Sequence, residues 1–232
     1  MPINEFNQPI GESLPGHTPG ERPSAALLSG RYCRLEKLSA ARHGADLYVV
    51  YGPDSPLQNW TYLSLNPVTS VAELDALLKR LEQSVDPYYL AIIDQADGRA
   101  VGTMALMRVD TASRVIEVGW VIYSERLKRS RIATEAQFLL AQYVFETLRY
   151  RRYEWKCDAL NQASRRAAER LGFRFEGVFR QAVVYKGRNR DTAWFAMLDS
   201  EWPQIKRRMQ RWLAEENFDE QGRQRMPLRE IK

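Results

Sequence analysis

Two cysteines in 232 residues leave this chain without a disulfide framework. Cys33 and Cys157 lie far apart on expected strands, with no metal-ligand spacing around them. They read as reduced core residues, which suits a cytoplasmic protein and leaves no metal site expected. The chain also has no apolar run long enough to span a bilayer, and its first residues show no basic start followed by an apolar segment. Neither secretion nor a membrane partner is expected. Internal repeats are missing, and so is any recognised nucleic-acid motif. The balance of 34 Lys and Arg against 29 Asp and Glu, a net +5, favours anionic ligands but is too mild to demand nucleic acid.

What is present is apolar material for one sizeable core, 44% of residues with 11% aromatic, so a single domain with trimmings is expected. Residues 1–29 carry Pro2, Pro9, Pro15, Pro19 and Pro23 and read as an extended N-terminal arm. The domain is placed at 30–213, and 214–232 reads as a polar C-terminal tail. A strand near Gly30–Leu38 and a helix near Ala40–Tyr51 come first. A Pro/Gly-punctuated stretch, 52–70, leads to a helix over Val71–Gln83 with Leu74, Leu77, Leu78 and Leu81 on one stripe. Tyr88–Asp94, Ala100–Val109 and Arg114–Tyr123 then form a meander, their turns short enough for antiparallel hairpins.

A long amphipathic helix through Ile132, Ala136, Leu139, Leu140, Tyr143, Val144 and Leu148 follows, and Arg152–Cys157 returns as a strand. Strand, helix, strand implies a parallel pairing here. A shorter helix opened by Asn161 and closed by Gly172, a strand pair over Phe173–Phe179 and Val183–Leu198, and a capped helix over Ser200–Leu213 complete the order. Trp202, Ile205, Met209 and Trp212 give that last helix an apolar face that can cover its own domain or a second copy, making a homodimer.

Four cations, Arg126, Lys128, Arg129 and Arg131, crowd the turn between the meander and the long helix. The unpaired N–H groups of a first helical turn point outward together, so this turn suits a pyrophosphate; its other reading is a solvated basic turn. Glu117 sits inside the most apolar strand, Val115–Ile122, where desolvation would raise its pKa toward that of a general base. The other reading is a cross-strand ion pair. Asn161 and Ser164 form an Asn-x-x-Ser unit at a helix start, where Asn161 is a good N-cap and Ser164 offers a hydroxyl. Lys186–Asp191 reads as a hairpin loop or a substrate gate.

With these segments in this order, the chain resembles the GNAT acetyltransferases, and within them the RimJ/RimL-like group that acetylates protein N-terminal amines. The resemblance runs from about Gly30 to Leu213. It is carried by Glu117-Val118-Gly119-Trp120-Val121-Ile122, by Arg131-Ile132-Ala133-Thr134-Glu135-Ala136, and by Asn161-Gln162-Ala163-Ser164 followed by Leu171-Gly172-Phe173. It implies an α+β fold, a mixed and mostly antiparallel sheet flanked by helices, with a splayed parallel strand pair that holds acetyl-CoA. In the family's turn pattern, Gln/Arg-x-x-Gly-x-Gly/Ala, Lys128 takes the first position and Ala133 the last, while Arg131 stands where glycine is usual.

The resemblance implies that Val121 and Ile122 present the strand edge to the pantetheine, and that Lys128, Arg129, Ser130, Arg131, Ile132, Ala133 and Thr134 receive the phosphates. Asn161 would orient acetyl-CoA. Glu117 would act as general base, directly or through a water, and Ser164 would assist the departing thiolate, since the tyrosine that many members place in this helix is Ala168 here. Trp60, Tyr62 and Tyr185 would wall the amine acceptor, a protein N-terminus or a small molecule such as an antibiotic or an aminoacyl-nucleotide toxin. A non-catalytic acyl-CoA-binding module is the alternative function, and nucleic-acid binding ranks last.

Overall fold

The structure is a computed structural model describing residues 1–231; Lys232, the last residue of the expected tail, lies outside the described residues. One eight-stranded sheet organises the chain, in the order β1-β2-β3-β4-β5-β6-β8-β7. Its strands are β1 Leu27–Ser29, β2 Cys33–Lys37, β3 Tyr88–Asp94, β4 Ala100–Asp110, β5 Val115–Tyr123, β6 Arg152–Asp158, β7 Arg174–Tyr185 and β8 Arg188–Leu198. Every neighbouring pair is antiparallel except β5 with β6. The helices are α1 Ala40–Tyr51, α2 Val71–Glu82, α3 Arg131–Gln142, α4 Gln162–Leu171 and α5 Trp202–Leu213.

β3 explains the layering. All seven of its residues are buried, so its period of two feeds two cores at once. Tyr88, Leu90 and Ile92 join a large core beneath α3, α4 and α5, whereas Tyr89, Ala91 and Ile93 join a smaller core beneath α1 and α2. The helices of the smaller core pack chiefly over β3 and β4, with Ile122 of β5 at their edge. Beyond β4 the same sheet face is left uncovered, and along β6 the alternation of Tyr153, Trp155 and Cys157 with Glu154, Lys156 and Asp158 places the charged residues there.

Several elements depart from the sequence expectation. The arm contributes β1, which pairs with β2, and the first strand of the domain starts at Cys33 rather than Gly30. The long helix ends at Gln142 and passes into a π-type turn over Tyr143–Thr147. The final hairpin turns at Lys186 and Gly187, both at positive φ, so Arg188–Asp191 belong to β8 and not to a loop. α5 starts at Trp202 with Glu201 at its N-cap and no side-chain cap.

Its four apolar residues, Trp202, Ile205, Met209 and Trp212, are buried in the chain's own core, where Trp202 stacks on Phe145 at 5.4 Å. That face is not left for a second copy. The stretch after α5 is likewise no loose tail, because Phe218 packs edge-on to Trp212 and Leu228 is fully enclosed. Leu228→Ala should therefore cost about 3 kcal/mol, the usual result of emptying a leucine-sized site. A urea midpoint that drops at constant slope checks it; an unchanged midpoint would make the segment dispensable.

Candidate active site

A cleft of about 740 Å³ opens on the uncovered face where β5 and β6 part. The two strands pair in parallel only from Val115↔Arg152 to Val118↔Trp155. One residue later β5 carries a bulge: Ala105 faces Gly119 but Thr103 faces Ile122, and Trp120 adopts φ 51°. An extra residue on one strand bends it and increases its twist, so β5 swings off β6 and its edge from Gly119 onward loses its partner. Val121 and Ile122 line the cleft along this unpaired edge. Buried backbone donors and acceptors seek partners, and an extended ligand with amide groups can supply them. The space at Gly119 is not left for a ligand, because a Cβ there would sit 2.3 Å from the Met107 sulfur.

Glu117 lies at the closed end of the splay and is buried, its side chain 8% exposed. Lys156 of β6 brings Nζ to 2.9 Å from Oε2, and Arg108 of β4 brings Nε to 3.7 Å. Neither meets hydrogen-bond geometry at Oε2, so both contacts are ion pairs. Burial pushes the Glu117 carboxyl above its usual range, opposed by the charges of Lys156 and Arg108 and reinforced by Glu154. Both readings of the sequence meet here: the carboxylate is desolvated and it is ion-paired. Lys156 was not picked out from the sequence, although the strict alternation of β6 carried the signal.

The turn into α3 is less open than its charge suggests. Arg126 is held by Asp94 and Asp97. Lys128 binds Glu125 at 2.6 Å and also the side-chain oxygen of Asn59. Arg131 folds back over the rings of Tyr32, at 4.2 Å, and Phe218, at 5.4 Å. Among the described residues, Arg129 alone of the four has no ion pair or ring partner. Ser130 caps α3, its Oγ accepting from the N–H of Ala133 and donating to the Leu127 carbonyl. Ile132 packs against the large core, and Thr134 is buried with its hydroxyl accepting from Arg170. The side chains of Ser130, Arg131 and Thr134 are thus occupied within the protein. Donors remain in the N–H groups of Arg131 and Ile132, which a helix cannot pair internally at its first turn.

On the other wall, Asn161 Oδ1 accepts from the Ser164 N–H, so the N-cap reading holds. Ser164 Oγ accepts from the indole N–H of Trp155 at 2.9 Å, which leaves its own proton free to donate. Both residues line the cleft. Tyr185 lines it as well, with its hydroxyl donating to Asp158 at 2.8 Å. Trp60 does not: it is buried against Tyr51 and its N–H donates to Ser55. Its packing holds the short 3-10 helix Leu57–Trp60, from which Asn59 reaches the mouth of the cleft, as does Tyr62 just beyond it. Tyr62 donates to the Leu160 carbonyl at 3.4 Å, while Lys186 and Arg188 donate to the carbonyls of Trp60 and Thr61. The segment is a strap over the opening, tied to the α3 turn on one side and to the β7–β8 hairpin on the other. Phe179 and Trp194, tilted against each other with ring centres 4.4 Å apart, form an aromatic shelf beside it that the sequence reading did not single out.

Comparison with known proteins follows the same lines. The family model "Acetyltransferase (GNAT) domain" matches residues 34–174. A solved GCN5-related N-acetyltransferase from Brucella melitensis is 50% identical, with a TM-score of 0.92, over 94% of this chain and 99% of that one. The curated "Putative ribosomal N-acetyltransferase YdaF" of Bacillus subtilis is 32% identical over 46% of this chain, which spans 57% of that protein's length. The microcin C7 self-immunity acetyltransferase MccE, solved with acetyl-CoA and AMP, is 18% identical with a TM-score of 0.65 over 73% of this chain and 93% of its own, a likeness of fold.

Proposed function

The chain belongs to the GNAT acetyltransferase family, and from that premise we propose that it moves the acetyl group of acetyl-CoA to a primary amine by direct attack, with Glu117 as general base. The observation that carries this reading is the splay itself: an unpaired β5 edge and a buried carboxylate face one cleft. The residues fit the co-substrate. The edge at Val121 and Ile122 suits the amides of the pantetheine, and the first-turn N–H groups of α3 suit the pyrophosphate. Acetyl-CoA supplies an activated acyl group, and the protein supplies orientation and proton transfer.

Glu117 takes the proton of the attacking amine, directly or through a water. Ser164, with its hydrogen free, donates toward the departing thiolate, and Asn161 steadies it through the shared cap. A backbone N–H near Val121 polarises the thioester carbonyl. The acceptor in this proposal is the N-terminal amine of a protein, as in RimJ/RimL-like enzymes. The strap tied down by Tyr62, Lys186 and Arg188 leaves a slot better suited to a slender chain end than to a broad surface. The name of the B. subtilis relative points the same way.

Thiol release from acetyl-CoA with a panel of peptides bearing free N-termini and of small amines tests the reading. Release with peptides is expected; absence of acetyl-CoA binding by calorimetry would sink it. Within the turn, Arg129→Ala should weaken CoA binding about tenfold, the scale of one charge-assisted contact. Arg126→Ala should change it less than about twofold, since Arg126 is engaged by Asp94 and Asp97. Equal losses would mean that the turn acts only through its general field.

A further inference from the structure

Lys156 is unusual in where it sits. Its side chain is 7% exposed, and its Nζ lies 2.9 Å from Glu117 Oε2 and 2.7 Å from Glu154 Oε2. The third side of the ammonium rests over the Trp194 ring at 3.8 Å. The chain of charges continues outward. Arg152 Nε binds Glu154 Oε1 at 2.6 Å, and its other nitrogens bind Glu176 on β7 at 2.8 and 2.5 Å. A ladder of alternating sign therefore runs Glu117, Lys156, Glu154, Arg152, Glu176 from the cleft to the rim. The parallel register builds it, because Glu117 and Glu154 are direct partners across β5 and β6. The carboxylates would repel without the ammonium between them.

Resting on the reading of Glu117 as base, we propose that Lys156 is the residue that positions the Glu117 carboxylate and sets the pH at which it accepts a proton, with Glu154 holding part of the Lys156 charge in reserve. Every charged group facing Glu117 enters the balance. From β4 comes Arg108, which is farther away and largely in water, so its charge is screened. From β6 come Lys156 and Glu154, while from β8 the uncharged Trp194 ring lies against Lys156. Lys156 is the near, dry term, and an opposite charge in such contact lowers a carboxyl's pKa by roughly 1–3 units. Glu154 works against it, its like charge facing Glu117 directly across the register. A merely structural lysine would leave the Glu117 midpoint in place when its charge is removed and its bulk is kept.

The measurement is the protonated-carboxyl infrared band of Glu117 followed against pH in the full-length protein, assigned by its loss in Glu117→Gln. Lys156→Met is expected to raise the midpoint by about one unit or more, and Glu154→Gln to lower it. Lys156→Arg, which restores the charge, should return it close to wild type. If Lys156→Met does not fold, Lys156→Gln, which also removes the charge, is read in its place against Lys156→Arg. A midpoint unmoved by Glu154→Gln, or moved upward, overturns the proposal, as does a Lys156→Met midpoint equal to wild type. Because the band reports Glu117 directly, its shifts do not depend on which amine is acetylated. A failure of Glu117→Gln to reduce thiol release would instead strike the base assignment and leave these shifts standing.

Discussion

Glu117→Gln is expected to lower acetyl transfer roughly 10²–10⁴-fold, the range over which a positioned general base contributes, while leaving acetyl-CoA affinity unchanged. The separation follows from geometry. Glu117 lies in the part of β5 still paired with β6, whereas the edge offered to the co-substrate begins only after Val118. Glutamine keeps the shape and removes the charge, so Lys156 loses one of its two carboxylate partners but retains Glu154. Thiol release measured beside calorimetric binding of CoA checks both halves. A variant that turns over like wild type would place the base elsewhere, and Asp158, buried in the same cleft, would be examined next.

The same variant fixes the pH dependence. Burial raises the Glu117 carboxyl, so the wild-type rate should climb as pH rises through that raised value and level off once the carboxylate is formed. Below it, the group is protonated and cannot accept the amine's proton. Glu117→Gln should lose that ascending limb, and a limb that survives the substitution belongs to another group.

The parts of the molecule that were legible in the sequence are those set by local physics. Asn161 and Gly172 bracket α4 because capping and a left-handed close are decided within one turn of chain, and Gly172 indeed has φ 109°. The parallel β5–β6 pair follows from strand, helix, strand, while the GNAT fold as a whole is implied by the resemblance of the motifs. The unread parts depend on partners brought from afar. Lys156 meets Glu117 only because the register sets Glu117 against Glu154, and no spacing within either strand reveals a register. Arg131 stands where the family pattern has glycine, and nothing local says where its side chain goes. Its guanidinium is drawn off by Tyr32 and Phe218, each more than eighty residues away along the chain. Trp60 read as a wall for the acceptor because an aromatic in a loop needs a contact; that contact is Tyr51.

Glu135→Ala is expected to be the most destabilising of these substitutions, on the order of 5 kcal/mol, although the residue touches no part of the cleft. Its carboxylate is buried in α3 and accepts three backbone N–H bonds from the turn before β2: Arg31 at 2.8 Å, Tyr32 at 2.7 Å and Cys33 at 2.7 Å. Only a glycine fits against it, since a Cβ at Gly30 would come within 2.6 Å of the carboxyl carbon. Alanine leaves three amides without their acceptor, that of Cys33 buried and the other two part-buried, and each unmet donor costs about 1–3 kcal/mol. Glutamine offers one oxygen and sets its own N–H groups against those amides, so Glu135→Gln should fall between alanine and wild type. At about 2–4 °C per kcal/mol for a chain of this size, the alanine variant should melt roughly 10–20 °C lower. The turn it holds also carries Tyr32, the ring on which Arg131 rests at the start of α3. Loss of Glu135 should therefore loosen the phosphate end of the cleft before the protein unfolds, seen as weaker CoA binding at temperatures where the far-ultraviolet signal is still native. A melting point within about 2 °C of wild type would show that the three amides find other acceptors, and that the turn is held by the β2–β3 pairing alone.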